Sequence, residues 1–279
     1  MEKSKKTNLA ASCVAALALL VAGCEGSTDG TSGSSSNGSN NTSGTTGIAG
    51  STARMVIVGD YLYAIAQNKI QLFDITIPSS PAPWVRVTVD WDIQTLFPYE
   101  DYLLVGAADA IHIMDNTDPA APRYISEFRH AEAIDPVVAA NGYAYVTLKN
   151  DPFASVSVDD QMNVISLADF TDPQLVKEIP MNSPEGLSVV EQSLFVCDGR
   201  AGIKRYDISD PANPSYVDVI PRVDCNDVIA YNGILYAITD TSLQQYDYSV
   251  SPPSALSIIE TNEMSPDALA SLLDNEKIR

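Results

Sequence analysis

The chain has 279 residues, of which 45% are hydrophobic, and this is enough apolar surface for one large or two smaller domains. Its 36 acidic and 16 basic side chains give a formal net charge of −20 at pH 7. Proteins that bind phosphate backbones need clustered cations, so this charge argues against nucleic acid as a partner.

The first 23 residues predict a removable export signal. Three lysines among the first six residues precede an apolar stretch over 9–22, which is too short to span a bilayer as a helix. The stretch ends in the letters LLVAGC, and this pattern resembles the bacterial lipoprotein signal, in which small residues precede an invariant cysteine, here Cys24. The alternative is an ordinary cleavage site that happens to precede Cys24. The resemblance implies that Cys24 becomes the lipid-attached first residue of the mature chain.

Residues 24–52 comprise this cysteine and a linker rich in Gly, Ser, Thr and Asn, with too little apolar surface to fold. We expect a disordered tether, whose 28 residues (25–52) would have an r.m.s. reach of roughly 30 Å. Anchor and tether together predict a protein of the cell envelope that lipid holds on a membrane. We expect the outer membrane, and the sequence leaves open which side the protein faces.

The rest of the chain repeats one pattern of strands and turns. Each of five units has an apolar strand that ends in Asp, and the successive spacings are 41, 54, 38 and 40 residues. The five residues are Asp74, Asp115, Asp169, Asp207 and Asp247. Two short strands precede this one, with a turn such as Asn-Gly between them, and another follows the Asp. Four strands in about 41 residues are the period of a propeller blade, so the sequence predicts an all-β propeller of five four-stranded blades over 53–262.

The turn after each Asp reads Asp-x-x-Asp-Pro in its clearest copies, as in residues 207–211. The first Asp can accept hydrogen bonds from backbone N–H groups about two residues later, and Pro fixes φ and ends the ladder. We therefore interpret the motif as a rigid corner between the two outer strands of a blade, and not as a set of catalytic residues. The fifth unit lacks the second Asp, and we expect its turn to be irregular.

Two stretches, MVIVGDYLYAIAQNKIQLFDI (55–75) and LFVCDGRAGIKRYDISDPANP (194–214), resemble the LVIVD-repeat family. The resemblance covers about residues 53–260. It implies a β-propeller of bacterial or archaeal surface and envelope proteins, which are often lipoproteins. The family has no established catalytic residues, so the resemblance implies a fold and a location but no chemistry.

Outside the leader and the anchor, the chain has two cysteines, Cys197 and Cys225. The envelope is oxidising, and the predicted strand order places both cysteines on one face of the ring in adjacent blades. We predict a disulfide between them. The alternatives are two buried free cysteines that pack as small apolar side chains, or a metal site, for which no His stands nearby.

One acidic residue stands near the start of the innermost strand in each of blades 2 to 5. These residues are Asp92, Asp135, Glu185 and Asp227, and Arg54 takes the corresponding place in blade 1. Because the innermost strands converge on the ring axis, the carboxylates can hold a divalent cation such as Ca²⁺ or act as acid and base on a glycan. The alternative is a hydrated acidic rim. We favour the rim, since the chain has no Asp-x-Asp-x-Asp-Gly loop, and we expect neither a resident metal nor another cofactor.

Two further segments depart from the repeat. Blade 3 carries about 13 additional residues within 149–163, and such an excursion either contacts a partner or is a tolerated insertion. Residues 263–279 predict a short helix, because Ser265 can cap it and Pro266 suits its first position. We expect this helix to pack on an outer surface of the propeller.

Two functional hypotheses follow from these patterns. The tether, together with the lack of a catalytic constellation, favours a monomeric, non-enzymatic module that binds an envelope protein or a glycan. The second hypothesis is a glycan-active enzyme or a cation-dependent sugar binder that uses the axial carboxylates. The two histidines, His112 in a strand and His130 in a linker, predict no nucleophile–His–acid triad.

Overall fold

A computed structural model describes residues 50–66, 68–89, 92–130, 136–150 and 159–261. They form five antiparallel sheets of four strands each, and the strands in every sheet follow chain order. The sheets are the five blades of a β-propeller ring, which confirms the predicted fold and blade number. Within these residues, we find no helix with the length and hydrophobicity that a membrane crossing requires.

The strands have the following bounds. Blade 1 contains β1 (Met55–Val58), β2 (Tyr61–Ile65), β3 (Lys69–Asp74) and β4 (Ala82–Thr88). Blade 2 contains β5 (Ile93–Tyr99), β6 (Tyr102–Ala107), β7 (Ala110–Asp115) and β8 (Arg123–Arg129). Blade 3 contains β9 (Val137–Ala140), β10 (Tyr143–Leu148), β11 (Gln161–Ser166) and β12 (Gln174–Pro180). Blade 4 contains β13 (Pro184–Val190), β14 (Ser193–Asp198), β15 (Ile203–Asp207) and β16 (Ser215–Ile220). Blade 5 contains β17 (Asp227–Tyr231), β18 (Ile234–Ile238), β19 (Ser242–Asp247) and β20 (Ser254–Glu260).

The first strand of each blade lies nearest the ring axis. From β1 to β17, the first strands of consecutive blades contact one another, whereas the fourth strands are mostly exposed. Because neighbouring strands are antiparallel, all first strands begin on the same face of the ring. This face also carries the linkers between blades, such as 181–183 and 221–226, and we call it the linker face.

Apolar side chains that alternate along each strand pack the blades face to face. In β6, for example, Leu103 and Val105 face blade 1 and Leu104 faces blade 3, and all three are fully buried. The described residues form four buried apolar clusters in this way, one in each seam from blades 1 and 2 through to blades 4 and 5. Removal of this apolar surface from water is the main free-energy term that holds consecutive blades together.

The five Asp turns share one hydrogen bond. In each turn, the Asp Oδ1 accepts a hydrogen bond of 2.8 or 2.9 Å from the backbone N–H two residues later. The pairs are Asp74 with Thr76, Asp115 with Thr117, Asp169 with Thr171, Asp207 with Ser209, and Asp247 with Ser249. The pairing of the third and fourth strands shifts register in every blade, and such bulges increase strand twist. The predicted corner is therefore confirmed, and the fifth turn differs in its cis Ser251–Pro252 peptide bond.

The predicted Asn-Gly hairpins are also confirmed. Asn141 and Gly142 have φ of 52° and 79°, and Asn232 and Gly233 have φ of 49° and 81°. Two successive positive φ angles are what a two-residue type I′ turn requires, and Asn and Gly adopt them at low cost. These turns connect the first and second strands on the face opposite the linker face.

Candidate functional site

The chain enters the ring at its axis, where Ser51 and Thr52 bind the start of blade 5. The Ser51 hydroxyl donates a hydrogen bond to Oδ1 of Asp227 at 3.2 Å, and the Thr52 hydroxyl donates to Oδ2 of Asp227 at 2.5 Å. The Ser51 Oγ also accepts a hydrogen bond from the N–H of Leu187 in blade 4, at 2.8 Å. Residues that the sequence assigns to the tether thus connect two blades at the centre of the ring.

The same segment reaches a third blade and encloses the Asp227 carboxylate. The carbonyl oxygen of Ala53 accepts a hydrogen bond from the N–H of Leu96 in blade 2, at 2.9 Å. On the other side, a Cβ added at either Gly50 or Gly186 would overlap the carboxylate of Asp227. The absence of a side chain at these two positions leaves the space that the carboxylate occupies.

Asp227 therefore joins the segment 50–53 to blade 5, and we call this set of contacts the clamp. Burial raises its pKa, and hydrogen bonds from Thr52, Ser51 and the N–H of Val228 act in the opposite direction. Both carboxylate oxygens already accept hydrogen bonds from this segment. This geometry suits a joint between blades better than an open ligand for a cation or a sugar.

The acid of blade 4 also has an internal partner. Glu185 forms an ion pair with Lys149 of blade 3, and both side chains are partly exposed. The Thr147 hydroxyl donates a hydrogen bond to the Glu185 carbonyl oxygen at 2.7 Å. These two contacts join blades 3 and 4. Glu185 thus connects neighbouring blades, as Asp227 does between blades 4 and 5.

The remaining predicted axial residues are Asp92, Asp135 and Arg54. Asp92 and Arg54 are both exposed, and their carbonyl oxygens accept backbone hydrogen bonds of 3.3 and 2.9 Å. Asp135 lies outside the described residues. Among the residues that are described, no group of three or more His, Cys, Asp or Glu side chains is placed to hold a metal ion.

A polar cleft of about 490 Å³ opens on the linker face between blades 3, 4 and 5. It contains side chains of both charges. Its lining comprises Lys149, Ser183, Glu185, Arg222, Val223, Asp224, Asn226, Thr239, Asp240, Thr241 and Gln244. Within the cleft, the amide of Asn226 donates a hydrogen bond to Oδ1 of Asp240 at 2.8 Å.

A disulfide fixes one wall of this cleft. The Sγ atoms of Cys197 and Cys225 lie 2.03 Å apart, and their Cα atoms lie 5.5 Å apart. Both cysteines are fully buried. Since Cys225 stands between Asp224 and Asn226, the bond ties the 221–226 linker to β14 of blade 4.

A buried carboxylate fixes a second wall. Asp198 follows Cys197 in the chain and accepts hydrogen bonds from the N–H groups of Asn182 and Ser183, at 2.7 and 3.0 Å. It also forms an ion pair with Lys204 at 2.5 Å. Burial alone would raise the pKa of Asp198, but the hydrogen bonds from Lys204, Ser183 and Asn182 outweigh it and lower the pKa. Asp198 thus holds the linker that brings Ser183 to the cleft.

The insertion of blade 3 begins at the edge of the cleft. Lys149 lines the cleft, and the N–H of the next residue, Asn150, donates a hydrogen bond to Oδ1 of Asp160 at 2.8 Å. This bond brings the two ends of the insertion together. Residues 151–158 lie outside the described residues.

Glu185 is among the predicted site residues, whereas Arg222, Asp224 and Asp240 are not. Arg222 and Asp224 stand in the linker between blades 4 and 5, and Asp240 stands in a turn of blade 5. The repeat pattern does not show that these loops meet. The position of Cys225 between two polar residues is the signal that marks the 221–226 linker, once its disulfide is considered.

Comparisons with known proteins agree with the fold. Residues 49–89, which include blade 1, match the family model of the LVIVD repeat. No curated protein matches the sequence.

Several solved structures share the architecture. A functionally unknown protein from Desulfotomaculum acetoxidans aligns with a TM-score of 0.59 at 9% identity, over 74% of this chain and 68% of that one. The periplasmic gluconolactonase PpgL of Pseudomonas aeruginosa aligns with a TM-score of 0.55 at 10% identity, over 72% and 68%. The computationally designed protein Ika8 aligns with a TM-score of 0.52 at 9% identity, over 74% of this chain, which spans 60% of the length of Ika8. At these identities, the likeness shows the fold alone. The repeat match and the five blades identify the chain as a β-propeller whose first blade matches the LVIVD repeat.

Proposed function

We propose that this protein is a non-enzymatic interaction module of the cell envelope, which binds a protein partner through the polar cleft of the linker face. The observation that carries the proposal is the covalent attachment of the 221–226 linker, through Cys225, to blade 4. A surface that is held in place before binding loses less conformational freedom when it binds. A structural disulfide is also typical of oxidising compartments such as the envelope.

The chemistry of the cleft favours a protein over a small molecule. Pockets for small molecules are lined predominantly by hydrophobic and aromatic side chains. Of the described residues that line this cleft, Val223 is the only hydrophobic one, and the lining includes charged side chains of both signs. Such a pattern suits electrostatic complementarity with the charged surface of a protein partner, which gives specificity and speeds association.

The contacts of the axial acids support binding rather than glycan hydrolysis. A glycosidase uses two carboxyl groups that flank the scissile bond. Glu185 pairs with Lys149, and Asp227 accepts hydrogen bonds from Ser51 and Thr52. Both acids thereby hold blades together, and we assign them a structural role.

The cellular setting rests on the sequence pattern of the leader. In this proposal, lipid on Cys24 anchors a monomeric propeller to the outer membrane, and residues 25–52 provide the distance. A mature body that is strongly acidic is repelled by anionic lipid, so the tether keeps the cleft accessible to a partner away from the bilayer surface.

Photo-cross-linking in the producing cells tests the cleft. The photoreactive residue p-benzoyl-phenylalanine replaces Asp224 on the linker face or, as the matched control, Asp60, which is exposed at a hairpin turn on the opposite face. We expect a discrete adduct from position 224 only, and we expect protease to degrade the attached partner. The additional change Arg222→Glu should weaken that adduct at least tenfold without lowering the melting temperature.

Three results would contradict the proposal. They are equal adducts from both positions, no adduct from position 224, and an adduct that resists protease but is removed by glycosidases. The last result would instead identify a glycan as the ligand of the cleft.

A further inference from the structure

The seam between blades 5 and 1 differs from the other four seams. In blade 1, Met55 of the first strand pairs with the fourth residue of the second strand. In each of the other blades, one residue of the first strand pairs in the same way with the fourth residue of the second strand. The equivalent residues are Leu96, Val137, Leu187 and Val228. Each of these four is at most 1% exposed, whereas Met55 is 64% exposed. Met55 is thus an apolar side chain that is exposed at a position where the other four blades have a buried residue.

The surface of blade 5 that faces blade 1 is also more exposed than its equivalents in the other blades. The third residue of the second strand points to the following blade, and it is fully buried in blades 1 to 4, as Tyr63, Leu104, Tyr145 and Phe195. In blade 5 this residue is Tyr236, which is only partly buried. On the same face, Ile238 and Ile259 are 39% and 54% exposed.

These residues define an open apolar surface that we call the open seam: Met55, Ile57 and Leu62 of blade 1 and Tyr236, Ile238 and Ile259 of blade 5. None of the buried apolar clusters in the described residues joins blade 5 to blade 1, although each other pair of neighbours shares one. A contiguous apolar surface of this kind marks a site that another segment or molecule covers.

We propose that residues 262–279 of the same chain fill the open seam. The first argument is the path of the chain. After β16, the linker to blade 5 places Val223 and Cys225 in the seam between blades 4 and 5, and after β4 the linker places Val89 in the seam between blades 1 and 2. β20 ends at Glu260 on the same face, so blade 5 ends where the path to the next seam begins.

The second argument is the sequence of this segment. Met264 follows β20 at an offset similar to that of Val223 after β16. Leu269, Leu272 and Leu273 then recur at the i, i+3, i+4 spacing of one apolar helix face, and the charged residues of the segment, such as Asp267 and Asp274, stand at other positions. A helix over 266–279 would be about 21 Å long, at 1.5 Å per residue. Four strands span about 14 Å from first to fourth, so such a helix covers the whole seam.

Attachment to the chain favours this segment over a second copy of the protein. A segment joined to the rim of blade 5 is present at the seam at a millimolar effective concentration, whatever the protein concentration. A second copy would have to reach the same surface from solution.

The test places p-benzoyl-phenylalanine at Met55 in the full chain and maps the cross-linked peptides by mass spectrometry. Because Met55 is exposed, the replacement leaves the described core intact. We expect intramolecular cross-links to peptides within 262–279. The matched control carries the same residue at Tyr124, which is 49% exposed on the outer strand of blade 2 and should give no such cross-link.

Substitutions in the segment complete the test. The double change Leu269→Asp with Leu272→Asp should reduce the cross-link from position 55 at least tenfold, whereas Asp274→Asn should preserve it. A cross-linked dimer would show that a second copy occupies the seam, and the absence of any peptide from 262–279 in the unsubstituted segment would exclude this segment. Either result would overturn the proposal, even if the double variant failed to fold.

Discussion

The hydroxyl group of Tyr63 donates a hydrogen bond to the carbonyl oxygen of Pro119, 2.6 Å away, and so joins blade 1 to the Asp turn of blade 2. Tyr145 of blade 3 makes the same bond to Pro211 of blade 4, at 2.9 Å. Both tyrosines are fully buried, and burial raises the pKa of each well above its usual value. The recurring turn thus does more than connect two strands, because it offers the preceding blade an acceptor for a buried hydroxyl group.

Tyr145→Phe removes this bond and leaves the ring in place. We expect the free energy of unfolding to fall by about 1–2 kcal/mol, since the Pro211 carbonyl, which is partly buried, loses its partner. Equilibrium unfolding in urea measures the change. The control Tyr143→Phe lies in the same strand and removes a hydroxyl group with no hydrogen-bond partner among the described residues, so it should change the value by less than about 0.5 kcal/mol. Equal losses in both variants would contradict the assigned role.

Asp198→Asn tests the carboxylate beneath the cleft. We expect a loss of about 2–4 kcal/mol at pH 7, because Lys204 keeps its charge in a largely buried place. The folded state lowers the pKa of Asp198, so the stability it contributes is present above the ordinary carboxyl pKa. That contribution disappears as the pH falls through the lowered value. The difference between variant and wild type in urea unfolding should therefore shrink below about pH 4, and a constant difference would refute this explanation.

Asp227 should respond to pH in the opposite direction. Its pKa is raised in the folded state, so its ionised form costs stability above that raised value. As the pH falls through the raised pKa, the carboxylate takes up a proton and this cost disappears. We expect Asp227→Asn to change the free energy of unfolding by less than about 1 kcal/mol at pH 7, and the wild type to gain on the variant as the pH falls.

Two further measurements separate the clamp from an open ligand site. Asp227→Ala should cost about 1–3 kcal/mol, because Ser51 and Thr52 lose their acceptor. Millimolar calcium should leave the melting temperature of wild type and variants unchanged. A rise with calcium concentration in the wild type alone would demonstrate a specific cation site and contradict the clamp.

The disulfide predicts both a chemical and an energetic result. Unfolded, non-reduced mature protein should show no alkylatable thiol at Cys197 or Cys225. Cys197→Ala with Cys225→Ala should cost roughly 3–4 kcal/mol, as the chain-entropy model gives for a 28-residue separation. Alkylation of both residues without reductant would show that the bond does not form in the cell.

The anchor is tested by fractionation. Cys24→Ser should move the protein from the membrane fraction to a soluble pool, because no acyl chain then holds it. Cys13→Ser is the matched control, since it removes another cysteine from the leader and should leave the protein with the membranes. Sedimentation of the Cys24 variant with membranes would contradict the lipid anchor.

The sequence predicts the blades well and the axis poorly, for a physical reason. A blade depends on local requirements, such as alternating apolar residues and an Asp that accepts the N–H two residues later, and these requirements recur five times. The clamp depends on Thr52 and Asp227, which are 175 positions apart. A stretch rich in Gly, Ser and Thr has the composition of a tether, and composition does not reveal the half-buried carboxylate that it meets. The cleft is hidden in the same way, because three blades contribute to it.

The contacts of residues 50–53 also determine how the ring bears mechanical load. Tension applied to the chain ahead of Gly50 is transmitted at the axis, through Ser51 and Thr52 to blades 4 and 5 and through Ala53 to blade 2. The load is thus divided among three blades before β1 can lose its pairing with β2. A propeller pulled from the N-terminal side of Gly50 should yield as a whole, in a single rupture, and not by unravelling from its first blade.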